Sequence, residues 1–135
     1  MTDKTTKILV VDDEIAIGRV LKAGLEMHGF AVRYETVSTN TIKACLEFHP
    51  DLVLLDIDMP GKDGGAVASE LQCHPRLRNT PVIFLTSLVS KEEAAKREAS
   101  FETLLSKPIS ISALVVSIRE KLQNKETDIS LVGRQ

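Results

Sequence analysis

The sequence predicts an α/β domain, a doubly wound parallel sheet of about five strands with helices on both faces. Three observations predict it. Short, apolar, β-branched runs recur along the chain, they are apolar throughout instead of alternating, and segments with helical spacing separate them. Continuous apolar character marks a strand covered on both faces, as in a parallel sheet layered between helices. Right-handed crossovers then distribute the helices over the two faces.

After a polar lead-in, Met1 to Thr6, the first strand is expected at Ile8 to Val11. Ile17, Val20, Leu21, Gly24, Leu25 and His28 trace one face of a helix that Gly29 ends. A weaker strand follows at Ala31 to Tyr34. A second helix, carried by Ile42, Cys45, Leu46 and His49, stops before Pro50. The third and fourth strands are Leu52 to Leu55 and Val82 to Leu85, with a helix from Gly65 to Cys73 between them. Lys91 to Ala99, mixed in charge as an exposed helix should be, leads to a weak fifth strand at Thr103 to Leu105 and a last helix at Ile111 to Leu122. The expected division is one folded unit over 1–123 and a tail or the start of a linker over 124–135, where charges mix with Ile129, Leu131 and Val132.

With 135 residues and 43% hydrophobic content, the chain can bury one sizeable core. Charged residues make up 27% of it, yet the net charge is only -2, so no global field points to nucleic acid or a membrane surface. Cys45 and Cys73 lie in helical stretches without a CxxC or Cys/His cluster, and are expected to be reduced, buried thiols. His28, His49 and His74 have no metal-ligand spacing. MTDKTTK lacks an apolar core and a cleavage site, and no apolar run approaches the ~18 residues needed to span a bilayer. A cytoplasmic protein is the expectation.

In open α/β sheets, ligands bind beyond the carboxyl ends of the strands, where the strand order reverses. The first strand delivers Asp12 and Asp13 to that rim, the third Asp56, the fourth Thr86 and Ser87, and the fifth Ser106, Lys107 and Pro108. Singly, most have an ordinary explanation: Asp13 as a helix cap, Thr86 as a loop boundary, Ser106-Lys107-Pro108 as a solvated turn. Asp56 does not, because a carboxylate directly after Leu52-Val53-Leu54-Leu55 sits at the edge of a buried strand, where an unpaired charge is costly. Three clustered carboxylates suit Mg²⁺, which bridges one or two carboxylates to a phosphate. Lys107 can neutralise phosphoryl oxygens, Thr86 can donate a hydrogen bond to one, and a carboxylate nucleophile would give an aspartyl phosphate. No GxxxxGK[ST] loop is present to bind a nucleoside triphosphate.

ILVVDDE, PDLVLLDIDMPGKDG around Asp56, VIFLTS ending on Thr86 and Ser87, and SKP holding Lys107 occur in this order from about Lys7 to Leu122. In this combination the chain resembles the receiver domains of two-component response regulators. The resemblance implies a five-stranded sheet of flavodoxin-like order 2-1-3-4-5. It implies that Asp56 is the phosphoacceptor, that Asp13 holds Mg²⁺ directly and Asp12 through water, and that Asp58 lends its backbone carbonyl. It makes Thr86 the switch hydroxyl and Lys107 the partner of the phosphoryl group. A histidine kinase or phosphotransfer protein is the implied donor, with an output protein or domain and a homodimer as further partners, and no direct contact with nucleic acid or membrane. The chain is then a signalling domain that catalyses its own phosphorylation and dephosphorylation, not an enzyme acting on an outside substrate.

Two departures from the family pattern stand out. Leu104 occupies the place where many receivers carry a switching Tyr or Phe, and Ser100 and Phe101 replace a small pair before the last strand. Rival readings are an aspartate-nucleophile phosphatase, because Asp56-Ile57-Asp58 reads DxD, and a pseudo-receiver that binds without phosphorylation. Against the first, the motif follows the third strand and Pro60 stands two residues after it. Against the second, no acidic or lysine position is lost.

Overall fold

The computed structural model describes residues 5–57, 64–86, 104–106 and 110–133. The elements run β1 (Lys7–Val11), α1 (Ile15–Met27), β2 (Ala31–Glu35), α2 (Thr41–Phe48), β3 (Leu52–Asp56), α3 (Gly64–Cys73), β4 (Val82–Thr86), β5 (Leu104–Ser106) and α4 (Ile111–Gly133). A 3-10 turn at Ser38–Asn40 leads into α2. All strand pairs are parallel and the order is β2-β1-β3-β4-β5, as expected.

Every strand lies within one residue of its expected position, and for the two central strands the physical reason is plain. Ile8, Leu9, Val10 and Val11 of β1 and Leu52 to Leu55 of β3 are all fully buried, so neither strand has a wet face to break its apolar run. Successive residues feed two separate cores. Ile8, Val10, Leu52 and Leu54 pack with Leu21 and Leu25 of α1 and Leu114, Val115 and Ile118 of α4. Leu9, Val11, Val53 and Leu55 pack on the other side with Ala44 and Cys45 of α2 and Val67 and Leu71 of α3.

The turns follow local chemistry. Gly29 ends α1 at φ 92°, in the left-handed region that glycine enters without steric cost. His49 ends α2 at φ 54°, its N–H donating to the Cys45 carbonyl over 2.8 Å, and Pro50 then prevents the helix from resuming. Helices α1 and α4 approach closely at Gly24, where a Cβ would stand 2.7 Å from the Ile111 side chain.

Two expectations need revision. Helix α4 continues past Leu122 to Gly133, since Lys121 to Val132 contain no glycine or proline to break it. Cys45 is buried, but Cys73 is exposed. Val67 and Leu71 set the buried face of α3, and two residues beyond Leu71 the helix has turned Cys73 away from it. The expected helix at Lys91 to Ala99, and the departures at Ser100 and Phe101, lie outside the described residues.

Candidate functional site

The order β2-β1-β3-β4-β5 reverses direction between β1 and β3, which makes the space beyond their carboxyl ends the switch point where ligands bind in such sheets. Val11 pairs with Leu55 across that junction. Asp12 and Asp56 are the next residues on each strand, so the register delivers both to the rim at the same level. Asp12 is 0% exposed and Asp56 1%, while Asp13 is open to solvent. One carboxylate oxygen from each of Asp12, Asp13 and Asp56 lies within 4.8 Å of the other two.

That spacing has an electrostatic consequence. Two carboxylate charges so placed repel by roughly 3 kcal/mol or more at an effective dielectric constant of about 20, and three make three such pairs. An all-oxygen, all-anionic donor set at the mouth of a sheet fits a hard divalent cation, and Mg²⁺ accepts one or two carboxylates while keeping waters for a phosphate to displace.

The backbone around these acids is fixed from several sides. The N–H of Asp12 donates to the Glu35 carbonyl at 3.1 Å. Its Oδ1 accepts the N–H of Glu14 at 2.9 Å, and its carbonyl accepts the Tyr34 hydroxyl at 2.7 Å. Asp13 is therefore not the helix cap that its position allowed. Glu14 occupies the N-cap without a side-chain cap bond, Asp12 makes the local turn, and the Asp13 carboxylate joins the cluster. After Asp56, the N–H of Ile57 continues the ladder to the Leu85 carbonyl at 3.0 Å. Thr86, fully buried, ends β4 one residue beyond Leu85, which is level with Asp56, and it pairs with Ser106 of β5.

Of the residues singled out from sequence, Asp12, Asp13, Asp56 and Thr86 are thus brought to one rim. Leu104 opens β5, its backbone level with Phe84. Asp58 and Lys107 lie outside the described residues. The histidines serve helix ends: His28 Nδ1 lies 3.0 Å from the Gly24 carbonyl, and His74 Nδ1 accepts the N–H of Arg76 at 3.1 Å. Sequence reasoning missed Tyr34 and Glu35, because β2 reads only as a weak edge strand. The available signal was a tyrosine, a large side chain with a polar tip, placed next to the end of a strand that neighbours the acidic one.

A family model described as the response regulator receiver domain matches residues 8–119. The chain is 37% identical over 122 residues to the transcriptional regulatory protein ResD of Bacillus subtilis (strain 168), a match that covers 87% of this chain and 48% of ResD. It is 31% identical over 123 residues to the polar-differentiation response regulator DivK of Brucella suis, covering 87% of this chain and 97% of DivK. Its fold is similar to that of a solved CheY-like receiver domain protein from Methanospirillum hungatei JF-1, with a TM-score of 0.80, 25% identity, and coverage of 93% of this chain and 99% of that one. The chain thus spans about half the length of ResD and nearly all of DivK. Among the described residues, no helix is long and apolar enough to cross a membrane.

Proposed function

The chain belongs to the response regulator receiver family, and from that premise we propose that it accepts a phosphoryl group onto Asp56 from a phosphohistidine of a histidine kinase or phosphotransfer protein. The observation that carries the reading is the convergence of the Asp12, Asp13 and Asp56 carboxylates at the switch point of the sheet. Bound there, Mg²⁺ would neutralise charge on the acids and on the incoming phosphoryl group. Asp13 would hold it directly, Asp12 through water, and Asp58 through its backbone carbonyl.

In the transfer, an Asp56 carboxylate oxygen forms the new O–P bond as the N–P bond of the donor breaks. The electron pair of that bond stays on the imidazole nitrogen, which takes up a proton. Lys107 meets the phosphoryl oxygens as a point charge, and Thr86 donates its hydroxyl to one of them. Hydrolysis of the acyl phosphate by water returns Asp56 and releases phosphate. Residues 1–123 form the unit that does this, 124–135 lead on from it as a tail or linker that begins as the continuation of α4, and the signal leaves by protein–protein contact.

Incubation with acetyl phosphate is the direct test. Label should accumulate to about one phosphoryl group per chain as a slowly decaying acyl phosphate, only with Mg²⁺ or Mn²⁺ present, and Asp56→Asn should remove it. Full labelling of that variant overturns the acceptor assignment. Multiple turnover in place of stoichiometric label would make the chain a phosphatase.

A further inference from the structure

Among the bonds that hold Asp12, the one from Tyr34 differs in kind. The Asp12 N–H, paired with Glu35, belongs to the peptide plane that precedes the residue. The Asp12 carbonyl belongs to the plane that joins Asp12 to Asp13, and peptide planes are rigid. Whatever holds that oxygen therefore sets the rotation of the plane, and with it the direction in which Asp13 leaves the strand. The Tyr34 hydroxyl donates to this oxygen over 2.7 Å.

The path of the ring is built into α1. A Cβ on Gly18 would fall onto the Cζ and Cε1 atoms of Tyr34, so the ring passes through space that only a glycine leaves open. Glycine is a poor residue for a helix interior, yet α1 carries Gly18 on its buried side where the ring crosses. Tyr34 thus links the edge strand β2 to the acidic loop at the switch point by passing over the first turn of the helix.

We infer that Tyr34 is a positioning residue for the acidic site, its hydroxyl orienting the Asp12–Asp13 peptide so that the Asp13 carboxylate meets those of Asp12 and Asp56. This role rests on the reading of those three acids as a Mg²⁺ site. It assigns to β2 a part in metal binding although no β2 side chain belongs to the carboxylate cluster.

The test is Mg²⁺ affinity by calorimetry on the intact chain for wild type, Tyr34→Phe, Gly18→Ala and a core control, Val67→Ala, which lies in the cluster on the opposite face of the sheet. Tyr34→Phe should weaken Mg²⁺ binding about 2- to 10-fold, the equivalent of one net hydrogen bond. Gly18→Ala should act through the same contact by displacing the ring, so the double variant should bind no more weakly than the weaker single one. Val67→Ala should lower the melting temperature and leave the Mg²⁺ affinity unchanged. Tyr34 is also the chain's only tyrosine and there is no tryptophan, so its emission should change on Mg²⁺ addition in wild type and in Val67→Ala. Wild-type affinity in Tyr34→Phe, or equal weakening in Val67→Ala, overturns the positioning role. If wild type itself binds no Mg²⁺, the reading of the acidic site fails first, and the role of Tyr34 falls with it.

Discussion

The two halves of the carboxyl rim are built differently. On the β1–β3 side, five-residue strands lead into buried acids, Asp12 just after β1 and Asp56 at the end of β3, and Asp12 is held through its N–H, its carbonyl and its side chain. On the β4–β5 side, a five-residue strand pairs with one of three residues, and Thr86, fully buried, ends the longer strand opposite Ser106. The first half is organised to hold charge in place. On the proposed function, the second would respond through Thr86, buried at the end of β4 beside the short edge strand β5.

The comparison breaks most readily at Asp13. Asp13→Ala should cost Mg²⁺ affinity and phosphorylation together, by at least the 10- to 100-fold that losses around a metal site bring. Lys107→Ala should leave Mg²⁺ affinity largely intact and weaken the coupling of phosphorylation to conformational change. Metal titration followed by tryptic protection separates the two, and equal loss of metal binding in both variants would remove the division of labour.

On the responding side, Thr86→Ala should abolish most of the phosphorylation-dependent change in hydrogen exchange across Ser87 to Ala99. Leu104→Ala should leave the pattern of that change recognisable, because leucine lacks the large outward rotamer by which an aromatic would report the inactive state. Exchange with and without a beryllofluoride phosphoryl mimic decides this. If Leu104→Ala erases the response while Thr86→Ala keeps it, the switch lies in β5 and not in the hydroxyl.

How much of this was legible in the sequence depended on whether a residue's role was set by its own strand or by a neighbour. Strands β1, β3 and β4 were legible because burial on both faces leaves unbroken apolar runs, and Asp12 and Asp56 because a charge directly after such a run demands an explanation. The order of the strands came from a resemblance and not from the residues one by one. Tyr34 left only a weak mark, a tyrosine near the end of an edge strand, since its contact with the Asp12 carbonyl depends on α1 crossing β2 at Gly18, a tertiary fact. The run of α4 to Gly133 was missed because amphipathic spacing ends at Leu122 whereas helix propensity does not.

The smallest effect concerns the two thiols, which share a residue type but not a setting. Burial pushes the Cys45 thiol up from 9.0 to about 11, offset in part by the charge of Arg33, while Cys73 is exposed. A disulfide reagent at pH 8 should label Cys73 in the folded chain and Cys45 only on unfolding. Because the folded value is raised, the contribution of the neutral Cys45 thiol to stability is complete below pH 9 and is lost as the pH rises to about 11. Cys45→Ala should flatten that part of the pH profile in a denaturation series, and an unchanged profile would show that the thiol ionises as readily folded as unfolded.

The notch at Gly24 constrains how α4 can move. Ile111 occupies the space that the missing Cβ leaves, at the very start of the helix and four residues beyond Lys107. Sliding α4 toward the N-terminus of α1 would carry Ile111 toward Leu21, which brings a buried side chain where Gly24 has none. The start of α4 is thus indexed to α1 as a key is to its slot, with Ile111 as the tooth.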